Sequence, residues 1–194
     1  ATRLNAARLL ANRLYRIEGP VALHIEVRDR DVPRPLPVVL THGRRDCIAR
    51  CIRSWEDIGD GPFAEEGLII DDSADLDYQA WLRLNFPGWT VIGGKHLGFA
   101  GNVRRAWDAA LGEGSEWVFW IEDDFVFNEE IPFDAMRDVM VEHPYLTQIV
   151  LKRQPWFPKE VAAGGIVEMN PDAYEEKTDG KNGWLEHQRG HWTN

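Results

Sequence analysis

Cysteine is almost absent: the 194 residues include two, Cys47 and Cys51. Two thiols cannot build a disulfide framework, and without a second Cys pair they do not complete a zinc site. Their spacing sets them one helical turn apart, as buried residues of a helix would be. Long apolar runs are missing as well. No stretch approaches the roughly 20 consecutive apolar residues that a membrane span needs. The opening ATRLNAARLLANRLYRIEG has no unbroken apolar region of signal-peptide type. A cytoplasmic location is the expectation. Basic charge is scarce too: 22 Lys and Arg stand against 32 Asp and Glu, a formal net charge of -10. Broad capture of nucleic acid through phosphate contacts is therefore disfavoured, although a locally basic groove is compatible with that balance. Repeats and low-complexity tracts are lacking.

What is present is a globular chain, 44% hydrophobic, with enough length for one domain with a real core. Residues 3–17 carry Leu4, Ala7, Ala11, Leu14 and Ile17 at helical spacing, with Arg3, Arg8, Arg13 and Arg16 and no acid among them. This pattern predicts an N-terminal amphipathic helix. VALHIEV then reads as a strand and the Pro-rich DVPRPLP as a connector, so residues 1–36 precede the main domain.

From residue 37 to 152 the pattern alternates. VVLTH, GLIIDD, WTVIGG, WVFWIEDD and TQIVLK read as strands, separated by the helices DCIARCIRSWEDI, LDYQAWLRLNF, AGNVRRAWDAALG and PFDAMRDVMVEH. Short aliphatic strands alternating with helices predict an α/β fold, Rossmann-like, with a mostly parallel sheet and helices on both faces. Residues 153–194 lose this periodicity and are rich in Gly, Pro, Trp and charge, as loops over a site would be.

Three of the strands finish in polar residues: VVLTHGRR, LIIDDSAD and FWIEDDF. In an open parallel sheet, ligands bind beyond the carboxyl ends of the strands, so the acids at those ends are the candidate site. Buried unpaired carboxylates would be costly; solvent, a cation or hydrogen-bond donors must meet them. A hard divalent cation such as Mg²⁺ or Mn²⁺ suits oxygen ligands and takes few carboxylates together with substrate phosphates. HLGFAGNVRRAWDAA adds a Gly-containing turn opening a helix, which offers backbone N–H groups to an anion.

Taken together, these four segments resemble, in order and spacing, the nucleotide-binding half of GT-A glycosyltransferases, the family-two-like group above all. The likeness covers roughly residues 37–128, about half of the chain. It implies that Thr41, His42, Gly43 and Arg44 form the turn beside the nucleotide base, with His and Gly standing where the family has an aromatic residue and Asn. It implies that Asp71 and Asp72 supply the base contact, and that Gly98, Asn102 and Arg105 lie near the ribose and phosphates. Arg104 replaces an amide residue frequent in the family. IEDDF resembles the DXD-type motif, which implies that Glu122 bonds the ribose while Asp124, assisted by Asp123, holds Mn²⁺ or Mg²⁺ against the diphosphate. A late histidine often joins the metal in this family, and His191 is its candidate here.

The implied activity is transfer of a sugar from a nucleoside diphosphate sugar, a UDP-sugar for preference, with inversion favoured over retention. Its acceptor is open: a glycan, a lipid-linked sugar, a protein side chain, a modified nucleobase or DNA is compatible. Inverting members need an Asp or Glu base from their second half; Glu168, Asp172 and Glu186 are available without a motif to choose among them. Trp156, Phe157, Trp184 and Trp192 are candidates for stacking on a sugar. The chain closes on HWTN without a clear capping element, the pattern expected of an incomplete acceptor-side segment. Two alternatives stand beside this reading. A nucleotidyltransferase would use a similar sheet, but THGRRD lacks the Gly-rich loop such enzymes carry after the first strand. A noncatalytic nucleotide-sugar-binding domain fits the absence of an evident base. A haloacid-type phosphatase is less attractive, because Glu122-Asp123-Asp124 is not its Asp-x-Asp arrangement.

Overall fold

The computed structural model describes residues 35–58 and 65–188. The expected N-terminal helix, the VALHIEV strand, most of the Pro-rich connector, His191 and Trp192 lie outside the described residues. The chain divides into two compact units, the first ending at Ile131 and the second beginning at Pro132.

In the first unit, β1 (Leu36–Thr41), β2 (Gly67–Asp71), β3 (Trp89–Ile92) and β4 (Val118–Glu122) form one parallel sheet in the order β3-β2-β1-β4. Helices α1 (Arg45–Ile58), α2 (Leu76–Asn85) and α3 (Gly98–Gly112) connect them. Each helix follows from its apolar spacing. In α1, Ile48, Cys51, Ile52 and Trp55 recur at intervals of three and four and are all buried. Asp75 caps α2, its side chain accepting hydrogen bonds from the backbone N–H groups of Asp77 and Tyr78 at 2.9 and 3.0 Å.

The sheet is covered on both sides because successive strand residues point to opposite faces. Val38, Leu40, Leu68 and Ile70 pack with Ala106 and Ala110 of α3. On the other face, Trp55 of α1 stacks on Phe119 of β4 at a centroid distance of 5.3 Å, and Tyr78 of α2 reaches Thr41 of β1. Register fixes this arrangement: Val39 lies beside Ile69 and Ile121, while Leu40 lies beside Ile70 and Glu122. The strand order reverses direction between β1 and β4, so the topological switch point falls at the carboxyl ends of those two strands.

The second unit holds α4 (Phe133–Glu142), two short helices, α5 (Pro158–Ala163) and α6 (Ile166–Met169), a 3-10 turn at Pro171–Ala173 and the antiparallel hairpin of β5 (Tyr174–Thr178) and β6 (Gly183–His187). Its one fully buried acid, among the described residues, is Glu160, which accepts a hydrogen bond from Arg153 at 3.0 Å. The expected fifth strand, TQIVLK, is corrected here. Residues 147–152 make no ladder, and Val150 at its centre is 74% exposed. Its β-prone composition has no strand to pair with among the described residues, and a lone strand leaves its backbone groups to water. No helix of the described residues is long and apolar enough to cross a membrane.

Candidate functional site at the strand ends

The alternation that covers the sheet also separates the acids at its edge. Thr41, Asp71 and Asp123 follow the α1/α2 face, and Glu122 and Asp72 follow the α3 face. Asp123 is 0% exposed, and its backbone N–H donates to the carbonyl of Leu40 at 3.1 Å, prolonging the β1–β4 ladder by one step. Its carboxylate accepts from Thr41 Oγ1 at 2.7 Å and from Arg44 Nε at 3.3 Å, with a further close contact from the other side of the Arg44 guanidinium. Thr41 has a single hydroxyl proton, and the carboxylate takes it. Tyr78 must then donate to Thr41 Oγ1, over 2.6 Å. Burial, the dominant cause, pushes the Tyr78 phenol well above its ordinary pKa, which keeps it a donor. A chain of buried groups thus runs from α2 through β1 to β4.

Asp124 has a different setting. It is 49% exposed and meets the guanidinium of Arg44 Nη1 at 3.3 Å. Burial works against the charge on Arg44, but Asp123 and Asp124 outweigh it and hold the guanidinium above its usual pKa. Glu122, partly buried, has its carboxyl raised from the usual range, by desolvation first and then by the charges of Asp124 and Asp123. Next to Arg44, an open depression of about 460 Å³ is lined by Gly43, Arg44, Arg45, Asp46 and Cys47 at the start of α1.

At the end of β2, Asp71 is 0% exposed and fully engaged. It accepts from the Ser73 backbone N–H at 2.9 Å, Ser73 Oγ at 2.8 Å and Gln79 Nε2 at 3.0 Å. Asp72 is 4% exposed and faces the α3 side, where the Leu97 N–H donates to its Oδ1 at 2.7 Å. His96 Nδ1 lies 2.9 Å from Asp72 Oδ2, and Arg105 Nη1 lies 3.7 Å from Oδ1. Ala74, in the same turn, carries a left-handed φ of 59°, an uncommon conformation for a residue with a Cβ.

Asn102 and Arg105 brace this turn. Asn102 Nδ2 donates to the Ile70 carbonyl at 3.2 Å, and Arg105 Nη1 donates to the Asp71 carbonyl at 2.8 Å and to Asn102 Oδ1 at 3.1 Å. Arg105 Nη2 donates to the Lys95 carbonyl at 2.8 Å. Gly43 and Gly98 hold positive φ angles of 76° and 73°, so both turns depend on a residue without a Cβ. Thr41, His42, Gly43, Arg44, Asp71, Asp72, Gly98, Asn102, Arg105, Glu122, Asp123 and Asp124 all fall at this one edge of the first unit. His191 lies outside the described residues.

His96 was not singled out by sequence reasoning. A histidine two residues ahead of a Gly-opened helix carried no motif, and its closeness to His42, with ring centroids 5.2 Å apart, depends on the pairing of β1 with β2. In the second unit, Glu168 pairs with Lys152 at 2.5 Å and Glu186 accepts from Tyr145 at 3.0 Å, while Asp172 is exposed. Trp156 is 83% exposed, and the Trp184 ring lies 4.7 Å from that of His143.

No protein-family model matches the chain, and neither does any curated protein. The first unit is an α/β domain with a parallel 3-2-1-4 sheet and a polar cluster at its switch point.

Proposed function

We propose that the protein is a metal-dependent glycosyltransferase that takes its sugar from a nucleoside diphosphate sugar, a UDP-sugar for preference. The observation that carries this reading is the juxtaposition of a buried, fully bonded Asp123 with a half-exposed Asp124 at the switch point of the sheet. The donor set fits a hard cation at Asp124, whose oxygens are accessible, and fits it poorly at Asp123, whose oxygens are taken by Thr41 and Arg44. Asp124 would hold Mn²⁺ or Mg²⁺, with Asp123 fixing the backbone and the guanidinium beside it. When bound, such an ion supplies Lewis-acid stabilisation of the negative charge that develops on the departing nucleoside diphosphate.

The chain's own residues do the rest. Arg44 holds a second positive charge within reach of a phosphate. Asp72 and His42 face the place where the nucleoside enters, and Asn102 and Arg105 keep the β2 turn in the shape that presents them. Glu122, partly buried at the end of β4, has carboxyl oxygens that can accept a hydrogen bond from a ribose hydroxyl. The base that accepts the acceptor's proton is left unassigned, as is the acceptor itself.

Calorimetric titration of UDP, GDP and their sugars, with and without Mn²⁺, into the wild type and Asp124→Asn tests the proposal. Metal-dependent binding of one nucleotide family, weakened at least roughly tenfold in Asp124→Asn, is the result expected. Binding indifferent to both metal and variant would refute it, and release of pyrophosphate during turnover would redirect it to a nucleotidyltransferase.

A further inference from the structure

We infer that His42, Asp72 and His96 form a binding site for a borderline transition-metal ion, Zn²⁺ foremost, separate from the carboxylates of residues 122–124. One ligand atom from each of the three lies within 4.8 Å of the others. Asp72 is the buried member and the two histidines are exposed, so the site opens to solvent on one side. The pair that is already close, His96 Nδ1 and Asp72 Oδ2, is at hydrogen-bond distance, 2.9 Å, and needs to part by only a few tenths of an ångström to flank one ion. With zinc–nitrogen bonds of about 2.0–2.1 Å, neighbouring ligand atoms stand roughly 3 to 3.5 Å apart.

The chemistry of this set differs from that of the acids on β4. Two imidazoles and one carboxylate select zinc, nickel, cobalt or iron over magnesium, because imidazole nitrogen is the softer donor. The carboxylate is also held from behind. Leu97 N–H donates to Asp72 Oδ1 at 2.7 Å, leaving Oδ2 turned toward His96, the kind of outer support that orients a ligand. His96 Nδ1 contacts the Asp72 carbonyl oxygen as well, at 2.9 Å, so without an ion its proton is shared between two oxygens. Metal capture through Nδ1 requires the neutral ring to exchange tautomers, its one proton passing by way of solvent from Nδ1 to Nε2. His42 closes the set by a side-chain rotation, which its exposure permits, on a backbone fixed by the Gly43 turn.

One neighbouring charge opposes the ion: Arg105 Nη1 is 3.7 Å from Asp72 Oδ1. Its guanidinium is committed to three carbonyl-type oxygens, those of Asp71, Asn102 and Lys95, and does not move aside. The site is consequently weaker than a closed structural zinc centre and exchanges with solvent. This inference stands on the three side chains alone; it shares His42 and Asp72 with the nucleoside contact proposed above, so an ion held here would compete with a nucleoside at that place.

Titration of Co²⁺ into the tag-free full chain without nucleotide tests it, with visible ligand-field absorption as the readout and Zn²⁺ displacement as confirmation. His42→Ala and His96→Ala, both at exposed positions, are compared with Asp124→Asn, with circular dichroism confirming that each is folded. The expected result is a Zn²⁺-displaceable spectrum whose affinity falls roughly tenfold or more in each histidine variant and is retained in Asp124→Asn. An absent spectrum, one undiminished in His42→Ala, or one lost only in Asp124→Asn overturns the site. None of these readouts requires donor binding, so failure here and failure of the proposed activity are told apart.

Discussion

Thr41 occupies the centre of the buried chain that leads from Tyr78 to Asp123, donating to one and accepting from the other. Thr41→Val keeps the volume but removes both bonds, leaving a buried carboxylate short of a donor and a buried phenol without an acceptor. A loss of about 1–3 kcal/mol is expected, measured by urea unfolding; an unchanged midpoint would show that water replaces the hydroxyl. Glu122 gives a pH signature. Its folded pKa is raised by burial and by Asp124 and Asp123, so the folded state binds this proton more tightly than the unfolded chain. Ionised Glu122 therefore disfavours the fold. That penalty is absent below the unfolded pKa of about 4.3 and grows as pH rises through the raised value. Glu122→Gln, which never ionises, should gain melting temperature relative to the wild type between acid and neutral pH. A difference that stays constant with pH would contradict the shift.

Among the elements, β2 shows how tightly the sheet edge is packed. A Cβ at Gly67 would stand 2.6 Å from Trp89 Cζ3 and 2.7 Å from the Pro37 carbonyl oxygen. One contact is with backbone, so the strand itself must move. Gly67→Ala is expected to cost about 1–3 kcal/mol, read as a lower denaturant midpoint with the m-value retained; wild-type stability would mean that β1 and β3 yield more easily than their burial implies. The elements of the first unit were legible because their aliphatic runs and helical spacings are long and regular. The hairpin of β5 and β6 was not foreseen, although TDGKNG carries its turn signal: Asp179 accepts from the N–H groups of Lys181 and Asn182 at 2.8 and 2.6 Å, around a Gly180 of φ 87°. Its strands, YEEKT and GWLEH, hold too few apolar residues for periodicity to reveal them. TQIVLK erred in the opposite direction, since composition states a preference for β structure and only a partner realises it.

At the scale of the molecule, the order of strand ends located the candidate site, and the roles of single residues within it needed the fold. VLTH, IIDD and WIEDD placed the acids at one edge because a parallel sheet brings all its carboxyl ends to the same side. Sequence could not separate Asp71, enclosed by Ser73 and Gln79, from Asp72, turned toward His96. Nor could it separate Asp123 from Asp124, since adjacency along the chain says nothing of which face each side chain takes. His96 was invisible for the complementary reason: its partners are distant in sequence and meet it only across the β1–β2 pair.

The alternation along β4 makes IEDD behave as a reading frame. The strand advances one face per residue up to Glu122, and Asp123 keeps that phase for one further rung before the chain turns at Asp124, so the same three acids displaced by a single position would each inherit a neighbour's surroundings. The half-exposed carboxylate would be driven into the Thr41–Arg44 clasp, and the clasped one would be turned toward α3. Composition would be unaltered and the motif still recognisable, yet its meaning would be scrambled. What carries information here is phase, and β1 sets it through every rung from Leu36 opposite Val118 to Leu40 opposite Glu122.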